Sequence, residues 1–202
     1  GPKNLAIVCE EMKTKFLHMS TDYVFSGNSS TPYMEEDLAN PINMYGETKY
    51  LGEEYIKEIS SRYFIVRTSW LYGYWGKNFV KTIIKDAKEK EFLEVVDDQK
   101  SGPTNAEDLA YHLLKIILTD QYGIYHCSGN GICSWYDFAC KIIEFANIDC
   151  TIYPVKSEKV SRLAKRPHYS FLDNRMLRYT VGDEMRHWED ALKEFIQTLN
   201  MK

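Results

Sequence analysis

The chain has 202 residues, 44% of them hydrophobic and 27% charged, with a formal net charge of −4. These values describe a globular chain able to bury a real core, as one large domain or two interleaved lobes. The acidic balance argues against nucleic acid or an anionic membrane surface as the main partner, and no apolar run approaches the ~18 residues of a membrane span.

In chain order, residues 4–13 have helical spacing and Phe16-Leu17-His18-Met19 reads as a buried strand. A polar loop follows from Ser26 to Asn43, broken by Gly27, Pro32 and Pro41. Residues 45–61 predict a helix with Leu51, Tyr55 and Ile59 on one stripe. Tyr63-Phe64-Ile65-Val66 is apolar throughout, as in a strand covered on both faces. Gly73 to Gly76 reads as a turn, residues 78–90 as a helix and Phe92 to Val96 as a strand.

Asn105 and Glu107-Asp108 open a further helix buried through Leu109, Leu113, Ile116 and Ile117, and residues 123–127 read as a strand. Ser134 is a suitable N-cap for a helix reaching Ala146. Thr151-Ile152-Tyr153 reads as a strand ended by Pro154, residues 155–170 as a basic loop, and a last amphipathic helix starts at Asp183 or Glu184. Strands alternating with helices predict an α/β fold with a parallel sheet.

The five cysteines are odd in number and contain no C-x-x-C, so reduced thiols are expected rather than a disulfide framework or a zinc site. Cys9 and Cys140 lie among apolar residues at helical spacing and are expected in the core. With no secretory leader at the amino terminus, a cytoplasmic location is expected.

Two segments carry chemistry. Ser20-Thr21-Asp22-Tyr23-Val24-Phe25 sets a hydroxyl at the end of an apolar run, and Tyr45 precedes Lys49 by four residues at the start of a helix. Residues i and i+4 project from one helix face. A cation near a phenol favours the phenolate and brings a group of free pKa ~10 toward working pH. Ligands of open α/β sheets sit outside the carboxyl ends of the strands, where Thr21 would lie. The set fits proton transfer to a ketone as a cofactor delivers hydride, with Tyr45 as acid. The spacing alone is weak evidence, since Tyr111 and Lys115 repeat it in a helix without an upstream hydroxyl set.

These residues resemble the dTDP-4-dehydrorhamnose reductase family of the extended short-chain dehydrogenase/reductase superfamily. The resemblance runs from Gly1-Pro2-Lys3-Asn4-Leu5-Ala6 to the final helix, essentially the whole chain. Ser20 to Gly27 matches S-T-D-Y-V-F-x-G, and Asn40-Pro41 with Tyr45-Gly46-x-Thr48-Lys49 matches N-P-x-x-x-Y-G-x-T-K. Arg67-Thr68-Ser69-Trp70-Leu71-Tyr72 matches R-T-S-W-x-Y, Asp98-Gln99 and Pro103-Thr104 match the D-Q…P-T block, and Arg166-Pro167, Ser170 and Leu172 match R-P-x-x-S-x-L.

The resemblance implies a Rossmann-like doubly wound parallel sheet with a smaller, interleaved carboxyl-terminal substrate-binding lobe. Residues 1–74 would belong to the cofactor domain and 75–202 mainly to the substrate lobe, with 105–128 returning to the sheet. It implies Thr21, Tyr45 and Lys49 as catalytic residues, Tyr45 and Lys49 also as contacts of NADPH or NADH, and Thr21, Asp22 and Trp70 as contacts of a dTDP-deoxysugar. Arg166 would pair with its diphosphate, since a guanidinium binds phosphate oxygens bidentately. A homodimer is compatible with it, and a magnesium requirement stays open.

The chain departs from the family in two places. Lys100-Ser101-Gly102 replaces the usual residues after D-Q, and the family's leading strand and G-x-x-G-x-x-G loop, which hold the cofactor diphosphate, have no counterpart. Gly73-x-x-Gly76 and Gly129-Asn130-Gly131 read as turns. The chain is therefore expected to be the later part of a reductase, inactive as written. The alternatives are a non-catalytic binding module of the same fold, like the regulatory subunit of methionine adenosyltransferase, or another nucleotide-sugar epimerase or dehydratase. His18, His126 and Cys127 are expected in the core, Trp135 in packing and Glu35-Glu36-Asp37 in a solvated loop. The basic run Lys156, Lys159, Arg162, Lys165 and Arg166 is either solvated or turned to the substrate.

Overall fold

The computed structural model describes residues 1–160 and 164–200; Arg162 of the basic run lies outside them. Helix α1 (Pro2–Glu11) leads into β1 (Phe16–Thr21), α2 (Met44–Ile59), β2 (Tyr63–Thr68) and the short β3 (Leu71–Tyr72). Next come α3 (Phe79–Glu89), β4 (Phe92–Val96), β5 (Lys100–Ser101), β6 (Thr104–Asn105), α4 (Ala106–Ile117) and β7 (Gly123–His126). The last part holds β8 (Cys133–Ser134), α5 (Trp135–Ala146), β9 (Thr151–Val155), α6 (Arg175–Thr180) and α7 (Trp188–Asn200).

β2 is the centre of a three-stranded parallel sheet of order β1-β2-β7. Its apolar run is explained by cover on both faces. Ile65 packs with Ala6, Phe16 and Ile56 on the side of α1 and α2, while Phe64 and Val66 pack with Leu109, Ile116, Tyr125 and Leu177 on the side of α4 and α6. Successive strand residues point to opposite faces, so each must be apolar. The register runs from Phe16 opposite Tyr63 to Thr21 opposite Thr68, which sets two hydroxyl residues side by side at the carboxyl ends of the strands.

A second core joins α3, α5 and α7 to β4 through Val80, Ile83, Leu93, Phe138, Ile142, Leu192, Phe195 and Ile196. Phe138 and Phe195 are almost wholly buried, and truncating either to alanine would cost about 3–5 kcal/mol. The helix starts follow from local chemistry. Asn78 and Asn105 cap α3 and α4, and Ser134 forms a reciprocal capping box with Asp137 at α5.

Several expectations are corrected. Pro154 does not end the last strand but lies within β9, paired with Val95. The amide of Thr151 points to β4, bonding the Glu91 carbonyl, so by alternation the nitrogen of Pro154 faces away from β4, where a missing N–H costs nothing. The final helix starts at Trp188, not at Asp183 or Glu184. Residues 183–187 are drawn into tertiary contacts instead: Arg186 pairs with Asp108, its carbonyl accepts from the Asn130 amide, and Asp183 accepts from Asn174. Cys9 and Cys140 sit half-buried at the rims of two cores, whereas Cys127, Cys133 and Cys150 are buried. Glu35 is not in a solvated loop. It is 7% exposed and accepts the backbone amides of His126 and Met176.

Candidate active site

A cavity of about 460 Å³ opens at the carboxyl ends of β1 and β2 and brings together all six residues singled out from the sequence: Thr21, Asp22, Tyr45, Lys49, Trp70 and Arg166. Thr21 ends β1, and its Oγ1 accepts the amide of Tyr23, which turns the chain into a short 3₁₀ segment. That turn carries Asp22 inward, 2% exposed. Thr21 Oγ1 donates to Asp22 Oδ1 at 3.1 Å, and Ser170 Oγ donates to Asp22 Oδ2 at 2.5 Å. Burial outweighs these hydrogen bonds and pushes the Asp22 carboxyl up to about 7.

Helix α2 begins at the cavity because Asn43 caps it, its Oδ1 accepting the Gly46 amide at 2.8 Å. The Asn43 amide group donates to the Lys165 carbonyl at 2.8 Å and so holds the neighbouring Arg166 segment against the helix start. Tyr45 is 54% exposed, edge-on to Tyr23 with ring centroids 5.8 Å apart. One turn on, Lys49 Nζ donates to the Met19 carbonyl at 2.6 Å. Burial holds the Lys49 ammonium below its ordinary range, and the carboxylate of Glu53 opposes that shift. An ammonium has three N–H donors. One is used on Met19, which leaves two for a bound partner.

Trp70 follows β2 with φ of 44°, a left-handed conformation that is strained for a bulky side chain. The D-Q…P-T block holds it there. Ser69 Oγ donates to the Gly102 carbonyl at 2.7 Å, and the Trp70 carbonyl accepts the Thr104 amide at 3.3 Å. Lys100 and Ser101 lie away from the cavity in β5, paired with β8. Asp98 accepts from the amide and hydroxyl of Ser157, tying the basic segment to the same block.

Trp135 was expected in packing alone. It lines the cavity and stacks on Trp70. Its position as the first residue of α5, presented by a capped helix start, is the local signal for it. Tyr111 and Lys115 stand apart from the cavity, and Lys115 pairs with Glu184 at 3.2 Å. The glycines outside the family motifs serve packing or turns. A Cβ on Gly129 would lie 2.0 Å from the Pro103 carbonyl oxygen, and Gly131 has a positive φ of 85°.

His126 and Cys127 are buried, as expected. Burial and the Arg67 guanidinium push His126 down to about 3, and burial pushes the Cys127 thiol up. Among the described residues no group of three or more His, Cys, Asp or Glu side chains is placed to hold a metal ion, and no helix is long and apolar enough to cross a membrane.

Comparison with known proteins places the chain in a family. The family model for the RmlD substrate binding domain matches residues 1–201. The spore coat polysaccharide biosynthesis protein SpsK of Bacillus subtilis is 42% identical over 197 residues, 98% of this chain and 69% of that protein. A crystal structure of a dTDP-4-dehydrorhamnose reductase from Clostridium acetobutylicum superposes with a TM-score of 0.97 at 46% identity, covering 99% of this chain and 71% of that one. The dTDP-4-dehydrorhamnose reductase of Bacillus anthracis, solved in complex with NADP, gives a TM-score of 0.95 at 44% identity over 98% of this chain and 70% of its own. A strand-end hydroxyl, a tyrosine and lysine on one helix face and a strained tryptophan, set on this fold and matched at this identity, lead to one assignment: the chain belongs to the RmlD substrate-binding-domain family, the family of the dTDP-4-dehydrorhamnose reductases.

Proposed function

We propose that the protein reduces dTDP-4-dehydrorhamnose to dTDP-L-rhamnose with NADPH. The observation that carries this reading is the convergence on one cavity of Thr21 from β1, Tyr45 and Lys49 from α2, and Trp70 after β2. The nicotinamide, when bound, supplies the hydride that adds to C4 of the ketosugar. Tyr45 gives its hydroxyl proton to the C4 oxygen, and Thr21 Oγ1, turning its one hydrogen from Asp22 to the substrate, donates to that oxygen and orients it. Lys49 stabilises the tyrosinate left behind, and its two remaining N–H groups suit ribose hydroxyls. A ketone, a hydride and a proton balance to the alcohol.

Asp22 and Trp70 serve the sugar, Asp22 through its buried carboxyl and Trp70 through its flat apolar face. Arg166, on the wall of the same cavity, suits the diphosphate as a bidentate donor. Residues 1–74, joined by 105–128, form the cofactor-side unit in this reading, and 75–202 otherwise form the substrate side. The shared sheet of β1, β2 and β7 supports that division.

The test is consumption of NADPH in the presence of dTDP-4-dehydrorhamnose by the protein as its gene encodes it, with any residues upstream of Gly1 included, and with the product identified by NMR. Stoichiometric oxidation and dTDP-L-rhamnose are expected. An epimerase or dehydratase returns its hydride within the turnover and consumes no net NADPH, and a binding module turns nothing over. Either result overturns the proposal.

A further inference from the structure

A buried polar cluster adjoins the cavity and has no role in the proton transfer described above. Ser20, Glu53 and Arg67 are 5%, 0% and 2% exposed. Ser20 Oγ donates to Glu53 Oε1 at 2.5 Å. Arg67 Nε and Nη2 donate to the same carboxylate at 3.0 and 2.6 Å, in the two-pronged geometry that guanidinium and carboxylate favour. Arg67 Nη1 reaches the Glu35 carbonyl at 3.4 Å.

Each member is tied by covalent structure to a residue that lines the cavity. Ser20 lines the cavity itself and precedes Thr21 on β1, Arg67 precedes Thr68 on β2, and Glu53 lies one helical turn beyond Lys49 on α2. One carboxylate therefore joins the three elements that present these side chains. Taking an ion pair out of water costs as much as it returns, and apolar residues of similar volume are often as stable, so stability alone is a poor reason for this cluster. Directional bonds fix what apolar packing leaves loose. A catalytic constellation must be held to within about 0.5 Å. The surroundings of Lys49 fit the same role: Glu53 on its own helix supplies the anion and Met19 a carbonyl, while burial and the Lys49 ammonium hold the His18 imidazole on β1 below its ordinary range.

We propose that Glu53 is a positioning residue, its carboxylate locking the ends of β1 and β2 to α2 so that Thr21, Thr68 and Lys49 face the cavity in one fixed arrangement. This rests on the reductase reading, and the experiment separates the two. Ser20→Ala removes a single hydroxyl and leaves the Glu53–Arg67 pair whole. In the full chain its kcat is expected to fall about ten-fold through misplacement of Thr21, with KM for the dTDP-sugar within about two-fold and Tm close to the parent's.

Glu53→Gln keeps the shape and removes the charge. The alkaline limb of its kcat profile is expected to move to lower pH, because Lys49 loses the anion that keeps it protonated. A folded Ser20→Ala enzyme with parental kcat, or a Glu53→Gln profile that superimposes on the parent's, overturns the proposal. If Glu53→Gln fails to fold, Ser20→Ala decides alone. A parent that consumes no NADPH with the substrate overturns the reductase reading, and the role of Glu53 with it. An active parent with indifferent variants overturns only the latter.

Discussion

Trp70 and Trp135 lie face to face across the cavity wall, with ring centroids 3.5 Å apart and planes within 10° of parallel. Trp70 reaches this position only by accepting a left-handed backbone, and Trp135 is delivered by the capped start of α5. The pair forms a flat apolar wall suited to a deoxysugar or a base. Trp135→Ala removes the support of that wall, and an aromatic pair contributes about 0.5–1.5 kcal/mol beyond its area. KM for the dTDP-sugar should rise about three- to ten-fold with kcat little changed. Steady-state kinetics check this, and an unchanged KM would remove Trp135 from the site.

Tyr45→Phe deletes the proposed proton donor while keeping the ring that meets Tyr23 edge-on. General acid catalysis contributes about 10²–10⁴-fold, so kcat should drop by that factor with substrate affinity held within a few-fold. Turnover close to the parent's would assign the proton to another group.

Gly46 lets α2 press against the turn after β1. A Cβ there would stand 2.2 Å from the Tyr23 carbonyl oxygen and 3.0 Å from Pro41 Cβ. Gly46→Ala gains up to about 1 kcal/mol of helix propensity, yet the backbone clash forces the helix start away from Asp22 and Tyr23. A net loss of about 2 kcal/mol is expected, or roughly 4–8 °C in Tm, together with lower kcat because Tyr45 is the adjacent residue. Calorimetry showing a stabilised variant would refute the close approach.

Asp22 gives a pH signature. Its carboxyl titrates near 7 when folded, against an ordinary value of 3.8. Between those values the native state holds a proton that the unfolded chain has released, so this contribution to stability is full below about pH 4 and is lost as pH rises to 7. Asp22→Asn removes that slope, and its amide accepts from one of the Ser170 and Thr21 hydroxyls while its N–H donates to the other. Its Tm relative to the parent should therefore improve between pH 5 and pH 8. A difference that stays constant with pH would show that Asp22 does not titrate in this window.

The residues of the candidate site were legible because their signals are local. Strand-end position, helix spacing and motif order involve a few neighbouring residues, and they select Thr21, Asp22, Tyr45, Lys49, Trp70 and Arg166, all of which line one cavity. The false pair Tyr111 and Lys115 shows why spacing alone is insufficient: the same helix geometry faces Glu184 rather than the ends of the parallel sheet. Glu53 escaped notice, since a glutamate in a helix reads as solvated by default. Its position one turn beyond Lys49, on the stripe of Tyr45 and Lys49, was the available signal.

Read alone, the chain determines the alternation of strands and helices, the both-sides-buried character of β2, the Ser134 cap and the placing of Tyr45 and Lys49 on one face at the start of α2. These follow from periodicity and capping, which act over one or two turns. Tertiary structure alone decided that Glu35 is buried, since its carboxylate is satisfied by amides 91 and 141 residues away. It decided that α7 starts late, because Arg186 is held by Asp108 across 78 residues, and that Pro154 is tolerated within a strand, because among the described residues β9 pairs with β4 alone. It also brought Trp135 onto Trp70. A polar or aromatic side chain takes its role from the partners that surround it, and those partners become neighbours only when the chain has folded.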